Sequence, residues 1–385
     1  MPEDTRTLTP VAGVEFSVAS RSHENFVDTQ TISVLAANQF RPISIPPSGY
    51  VRRVSLFFCF TMTCASDPAL VAGDAPWNLI SSITLTDAQG QPLFHPITGY
   101  NLYLLNKYGF HGTHKTNTLK NWFNPHMSPE YAWATVSTTG ATATFRLDLD
   151  LEVDYNSGYG SVPNTDSNTT LQLRIATSAY TVAATGTTVS AADLTVQVEQ
   201  EYWAPVASTM GAATVNVTPP AIGDFVDNRY ENHTATAAAA NQVRIATRGG
   251  LSPWYIIVSR AAGVRTAIAP ASNVNYELDN VPVQQSITLE SHNHRVRQSY
   301  GYHGTDLALS YVPITAGTVT GLDRGVLVIP FYALAGGRHP YYNTRTGSQS
   351  VVTYTTGAAV DQTEVLAPLM QITNAAAFYG ASAID

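Results

Sequence analysis

The residues best suited to chemistry in this 385-residue chain are two pairs of histidines. His292 and His294 stand in Ser-His-Asn-His, and His111 and His114 stand in His-Gly-Thr-His. On a β-strand His292 and His294 would share one face, which makes them candidate metal ligands. A structural zinc needs four ligands, and no third ligand with fitting spacing is nearby. We therefore expect no metal and interpret these histidines as polar loop or interface residues.

A second candidate is a row of carboxylates at alternate positions. Such a row could bind a cation or perform acid–base catalysis. Strand alternation explains it more simply as a solvent or interface face, with Arg146 or Arg174 pairing across strands. The row consists of Asp148, Asp150, Glu152 and Asp154.

Sequence motifs of common enzymes are missing. The stretch 248–253, Arg-Gly-Gly-Leu-Ser-Pro, lacks the Lys-Ser/Thr and the helix of a phosphate-binding loop, and there is no Gly-x-Ser-x-Gly elbow. We expect no enzymatic activity and no cofactor, and a β-sandwich hydrolase is the least supported function. The 20 tyrosines keep a carbohydrate-binding or adhesive, lectin-like or spike-like, β-sandwich protein open as the alternative.

The elements that position these residues are predicted from alternation with a period of two. Apolar side chains occupy every second position in several segments, as in half-buried strands of two packed antiparallel sheets. The segment 325–334 differs because it is apolar on both faces, so its second face needs cover from another domain or subunit. The alternating segments are 56–64, 145–153, 171–175 and 194–202, the last including Tyr202 on the inner face.

A helix is predicted within this β-rich pattern. Residues 77–94 indicate two strands around a tight turn at 87–90, and a helix follows near 98–108. Thr98 can cap its start, Lys107 lies in its last turn, and Gly109 can adopt the closing left-handed conformation. A helix this short is unstable alone, so it must pack against a sheet edge or a sandwich end.

Composition favours a protein whose surface is covered by other chains. Only 12% of residues are charged, although 44% are hydrophobic. The net charge of −8 argues against direct binding to nucleic acid. Cys59 and Cys64 are separated by an odd number of residues, which predicts free thiols. We see no signal peptide and no transmembrane run, and we expect synthesis in a reducing cytoplasm.

Short repeated words suggest a duplication. Ser-Ile-Thr-Leu occurs at 82–85 and 286–289, an offset of 204 residues (286 minus 82), and Val-Ser at 54–55 recurs at 258–259. Tyr-Gly-aromatic-His-Gly-Thr at 108–113 recurs at 300–305, which implies a shorter second copy without the helix. We predict a first domain at 1–208, a linker at 209–222 and a second domain with a C-terminal tail at 223–385.

The chain resembles the double jelly-roll major capsid proteins of tectivirus-like bacteriophages. The resemblance is carried by Gly-Tyr-Val-Arg-Arg-Val-Ser-Leu-Phe-Phe at 49–58 and by the strand pair and helix at 77–109. The strands at 142–155, 168–177 and 194–206 continue it. It implies an all-β fold of two tandem jelly-roll β-sandwiches with a short helix inserted in the first.

The resemblance also implies a structural role. Three subunits would form a homotrimeric, pseudo-hexameric capsomer, and capsomers would tile an icosahedral virion shell together with penton and minor capsid proteins. The residues before 30 contain no amphipathic helical run, so contact with an inner membrane stays open. We further expect the C-terminal tail after Asn374 to pack on a neighbouring chain.

Overall fold

We describe the fold from a computed structural model of the chain. The structure describes residue 16 and the ranges 20–65, 69–70, 74–108, 132–137, 140–152, 158, 160–167, 170–186, 188–210, 213–217, 219, 225–245, 251–252, 254–266, 268, 272–300, 325–330, 342–343, 349–357 and 360–371.

The first half of the chain forms two antiparallel sheets that face each other. One sheet has the order β1-β13-β4-β9-β8, with β10 beside β4; the other has the order β2-β11-β6-β7, with β3 beside β11. The strands are β1 (Ser22–Ser33), β2 (Asn38–Gln39), β3 (Ile43–Ile45), β4 (Gly49–Thr63), β5 (Ala69–Leu70), β6 (Ile80–Thr86), β7 (Pro92–Ile97), β8 (Ala132–Ser137), β9 (Gly140–Asp150), β10 (Val162–Asn164), β11 (Leu171–Thr177), β12 (Ala184–Thr185) and β13 (Ala191–Trp203).

The second half forms two further sheets. One contains β16, β26, β19 and β23 as hydrogen-bonded neighbours, and the other has the order β17-β25-β21-β22. A separate hairpin, β14–β15, spans 206–217 and overlaps the predicted linker at 209–222. The strands are β14 (Val206–Met210), β15 (Ala213–Val217), β16 (Phe225–Thr234), β17 (Ala240–Ile245), β18 (Leu251–Ser252), β19 (Trp254–Ala261), β20 (Val264–Arg265), β21 (Asn273–Leu278), β22 (Val281–Thr288), β23 (Val326–Pro330), β24 (Tyr342–Asn343), β25 (Ser350–Thr355) and β26 (Gln362–Gln371).

Both halves have the same strand order. The sequence of neighbours β1-β13-β4-β9 in the first half matches β16-β26-β19-β23 in the second, and β2-β11-β6-β7 matches β17-β25-β21-β22. Eight strands arranged in this way form a jelly roll, so the chain folds as two tandem jelly rolls. The predicted all-β double sandwich is confirmed.

The predicted alternation places the core of the first sandwich correctly. Leu56, Phe58 and Phe60 on β4 are fully buried, and so are the inward residues of β9, β11 and β13. The prediction for Tyr202 is wrong. A β-bulge between Glu201 and Tyr202 reverses the alternation, so Trp203 is buried and Tyr202 lies half-exposed.

The predicted helix is present as α1 (Gly99–Tyr108), after the β6–β7 hairpin. The Thr98 hydroxyl accepts a hydrogen bond of 3.3 Å from the Asn101 amide, and Lys107 lies in the last turn, as expected. Residues 77–79 form a 3-10 turn instead of starting a strand. The first position of α1 is glycine because a Cβ at residue 99 would clash with the Trp77 carbonyl oxygen and lie 2.8 Å from Ile80 Cβ.

The second half also contains a helix, α2 (Leu289–Tyr300), which follows the β21–β22 hairpin as α1 follows β6–β7. The prediction that the second copy lacks this helix is therefore wrong. The Ser-Ile-Thr-Leu repeat is misleading, because 82–85 lies in β6 whereas 286–288 lies in β22, the other strand of the hairpin. The repeat at 108 and 300 is informative, because Tyr108 and Tyr300 end the two helices.

Candidate functional site

The predicted histidine pair does not share a face. The segment is helical, and residues two apart on a helix point about 200° apart. His292 is buried: Nε2 lies 2.7 Å from the Val328 carbonyl oxygen and Nδ1 lies 3.1 Å from Gln284 Oε1. His294 is exposed. Within the described residues, no group of three or more His, Cys, Asp or Glu side chains could hold a metal ion.

The environment of His292 favours the neutral ring. Burial lowers the pKa of His292 to about 4, the hydrogen bond with Val328 opposes this shift, and the charge of Arg295 adds to it. His292 thus joins α2 to the edge of β23 as a neutral side chain. His111 and His114 lie outside the described residues.

The carboxylate row forms ion pairs. Asp148 lies 2.9 Å from Arg146 Nε on the same strand, and Asp150 lies 2.5 Å from Arg53 Nε across β4 and β9. Glu152 lies 2.6 Å from Arg52 Nε. Asp154 is outside the described residues, and Arg174 is exposed. The row is therefore a set of structural pairs, and its main partners, Arg52 and Arg53, are residues that the sequence analysis missed.

Arg52 is the centre of a buried polar cluster at one end of the first sandwich. Its Nη1 donates to Ser22 Oγ at 2.8 Å and to Glu201 Oε1 at 2.9 Å, and its guanidinium lies 4.2 Å from the Trp203 ring. The other Glu152 oxygen accepts hydrogen bonds from Trp203 Nε1 at 3.1 Å and from the Gly158 amide at 2.6 Å.

Burial raises the pKa of Glu152, although the charge and hydrogen bond of Arg52 act in the opposite direction. Both Glu152 oxygens accept hydrogen bonds, from a guanidinium, an indole and a backbone amide. The cluster closes one end of the first sandwich.

The junction between the two halves buries apolar side chains that come from both halves. Strands β19 and β23 are apolar on both faces. Ile257, Leu327 and Ile329 belong to the core of the second sandwich. Ile256 and Val328 point the other way and join the apolar cluster that contains α1 and the core of the first sandwich. The second cover that the sequence required for 325–334 is thus the first half of the same chain, as far as the described residues 325–330 show.

An ion cluster lies at this junction. Asp74 from the first half contacts Arg260 Nη1 at 2.9 Å and Arg265 Nε at 2.6 Å, both from the second half. The Arg265 guanidinium lies 4.9 Å from the Tyr100 ring of α1. Arg260 Nε also lies 2.8 Å from Glu364 Oε2. Burial alone would lower the pKa of Arg260, but the charges of Glu364 and Asp74 outweigh it and raise the pKa above its ordinary value.

The Asn106 side chain of α1 forms hydrogen bonds with the edge of the first sandwich. The Asn106 amide nitrogen donates to the Asp148 carbonyl oxygen at 2.7 Å, and its oxygen accepts from the Asp148 backbone amide at 2.9 Å. Strand β8 pairs with residues 140–144 of β9, and within the described residues no strand pairs with the far part of β9 on the side opposite β4. Asn106 and α1 cover that edge, which would otherwise expose backbone hydrogen-bonding groups.

Large apolar side chains that are exposed mark two further surfaces. Phe57 on β4 is 46% exposed, and Phe26 on β1 is 61% exposed. Val281 and Val283 on β22 are 63% and 42% exposed. Phe57 and Phe26 lie on one sheet face, two strands apart, and Val281 and Val283 occupy alternate positions of an edge strand.

Tyr202 lies at the surface and stacks on His23 with ring centroids 5.6 Å apart. The C-terminal tail after Asn374 lies outside the described residues. In the part of the chain that is described, neither helix has the length and hydrophobicity needed to span a membrane.

Comparison with known proteins identifies the fold. No protein-family model and no curated protein matches the chain. The major capsid protein of Sulfolobus turreted icosahedral virus (STIV) aligns with a TM-score of 0.61 and 13% identity, covering 95% of this chain and 100% of the other. The PBCV-1 virus capsid structure aligns with a TM-score of 0.56 and 11% identity, covering 91% and 94%. At these identities the likeness is one of fold, and the chain has the double jelly-roll architecture of these capsid proteins.

Proposed function

We propose that the chain is a major capsid protein that acts by self-association and not by catalysis. The single observation that carries the proposal is the junction: one sandwich of the chain already packs on the outer sheet face of the other through an apolar and ionic interface. The fold shared with STIV and PBCV-1 capsid proteins supports it. So does the low charged fraction of 12%, because subunit interfaces are depleted in charge.

In this proposal, three copies form a homotrimer with six sandwiches and a pseudo-hexagonal outline. A threefold ring uses a heterologous contact that closes on itself, so no isologous dimer interface is required. Trimers then contact neighbouring capsomers and other capsid proteins in an icosahedral virion shell, after synthesis in a host cytoplasm. The limits 1–208 and 223–385 for the two jelly rolls belong to the same proposal.

Imaging of the purified protein by negative-stain electron microscopy tests this function. We expect particles with a pseudo-hexagonal outline, or closed shells, and no binding to a panel of immobilised glycans. Single compact particles of one chain that bind a glycan would contradict the capsid proposal and support the carbohydrate-binding alternative.

A further inference from the structure

The junction within one chain suggests which surfaces meet between chains. We define the first flank as β7, α1 and Asp74, and the second flank as β22 and α2. The first flank packs on the outer face of the sheet β16-β26-β19-β23: β7 contacts β16, Tyr100 lies under Arg265, and Asp74 binds Arg260. The two halves share one strand order, so each of these surfaces has an equivalent in the other half.

The equivalent of the covered sheet face is the outer face of β1-β13-β4-β9, which we call the Phe57 face. Cross-strand registers place Thr29, Gln197, Phe57 and Arg146 in one row of this face. The row beside it contains Thr31, Thr195, Cys59 and Thr144. Its central side chain, Phe57, is 46% exposed, whereas the corresponding outer residues Ile256 and Val258 are fully buried at the junction.

The equivalent of the first flank is the second flank. Strand β22 lies at the edge of its sheet as β7 does, and α2 follows it as α1 follows β7. Val281 and Val283 of β22 are exposed at 63% and 42%. Within the described residues, apolar side chains are therefore exposed both on the Phe57 face and on the second flank.

We propose that the Phe57 face of one subunit binds the second flank of another copy of the chain. The contact repeats, between chains, the packing that joins the two halves within a chain. This inference rests on the proposed capsid function, in which three such heterologous contacts close a ring. It assigns Phe57, Phe26, Val281 and Val283 to the interface between subunits.

Cross-linking through a native cysteine tests the contact. Cys59 is half-buried on the Phe57 face, and Cys64 is buried. We would introduce Val283→Cys, and in a separate protein Val281→Cys, and treat each with a bismaleimide of about 10 Å span. We expect covalent dimers and trimers that disappear when Cys59→Ser is added. Leu35→Cys, at an exposed apolar residue outside both surfaces, is the matched control and should give no Cys59-dependent product.

The outcomes separate this inference from the function on which it rests. A stable trimer without any Cys59-dependent product from either valine position would overturn the proposed contact and leave the capsid function intact. A monomer in solution, with no product, would overturn both. As a second variant, Phe57→Asp should convert trimers to folded monomers with an unchanged circular dichroism spectrum, whereas Leu35→Asp should leave the trimer intact. A Phe57→Asp protein that remains fully trimeric would contradict the assignment.

Discussion

At the scale of single residues, several buried charged side chains in the described part of the chain pair with partners that lie far away in sequence. Arg52 meets Glu152 and Glu201, which are 100 and 149 positions along the chain. The carboxylate row could be recognised in the sequence, but its pairing could not, because register between distant strands is set by the fold. The sequence feature that could have indicated buried ion pairs is the presence of two consecutive arginines, Arg52 and Arg53, in an otherwise apolar strand.

Replacing Arg52 with Leu should strongly destabilise the protein. The substitution leaves Glu152 buried with an uncompensated charge, and breaking a buried pair in this way typically costs about 3–5 kcal/mol. Urea unfolding followed by circular dichroism measures the loss. The matched control is Arg174→Leu at an exposed strand position, where we expect a change within about 0.5 kcal/mol. Equal stability of the two variants would refute the structural role of the cluster.

The buried His292 should make stability depend on pH. Its pKa is lowered to about 4 in the folded chain, so the unfolded chain binds the proton more readily. Stability from this group is present above pH 6.5 and is lost as the pH falls towards 4, by about 3 kcal/mol in total.

The comparison of His292→Gln with His294→Gln isolates this effect. Gln at 292 keeps an N–H donor for the Val328 carbonyl but does not titrate, so the loss of stability between pH 6.5 and 4 should shrink by about 3 kcal/mol. The variant His294→Gln, at an exposed position, should show the same dependence of stability on pH as the wild type. Identical slopes in all three proteins, measured by urea unfolding at each pH, would show that His292 is not the titrating group.

At the scale of elements, strands with one apolar face and a helix with clear end signals were predictable. Helix α2 was not, although its buried positions Leu289, His292, Asn293 and Val296 follow helical spacing. Two of these four are polar, so a search for apolar periodicity does not detect the pattern. Tyr202 failed for a different reason, since alternation cannot reveal a β-bulge.

At Gly99, the first residue of α1, packing and helix propensity predict opposite changes in stability on substitution by alanine. Gly99→Ala should gain up to about 1 kcal/mol by propensity alone. The new Cβ clashes with the Trp77 carbonyl oxygen, so we expect a net loss of about 1–3 kcal/mol in urea unfolding. Gly90 in the β6–β7 turn has φ of +82° and open space around it, so Gly90→Asn should be tolerated. A stabilised Gly99→Ala protein would disprove the close approach.

At the scale of the whole molecule, the two jelly rolls are joined by burial of the outer face of one sheet. The sequence revealed that 325–334 needed a second cover but not which chain provided it, because periodicity identifies apolar faces and not their partners. The Asp74 cluster with Arg260 and Arg265 was likewise invisible, since its members come from opposite halves.

Asp74→Asn should weaken the junction. Arg260 and Arg265 would then be buried with reduced compensation, and we expect a loss of about 3–5 kcal/mol of stability, the range for broken buried pairs. Glu24→Gln at an exposed position is the control and should change stability by less than about 0.5 kcal/mol. If Asp74→Asn unfolds at the wild-type urea concentration, the ion cluster does not hold the halves together.

Self-association is the central claim, and the mass of the purified chain in solution tests it most directly. Size-exclusion chromatography with light scattering should give three times the chain mass of 41.4 kDa, about 124 kDa, over a hundredfold range of concentration. A mass of 41.4 kDa across that whole range, with no larger particles, would contradict the account.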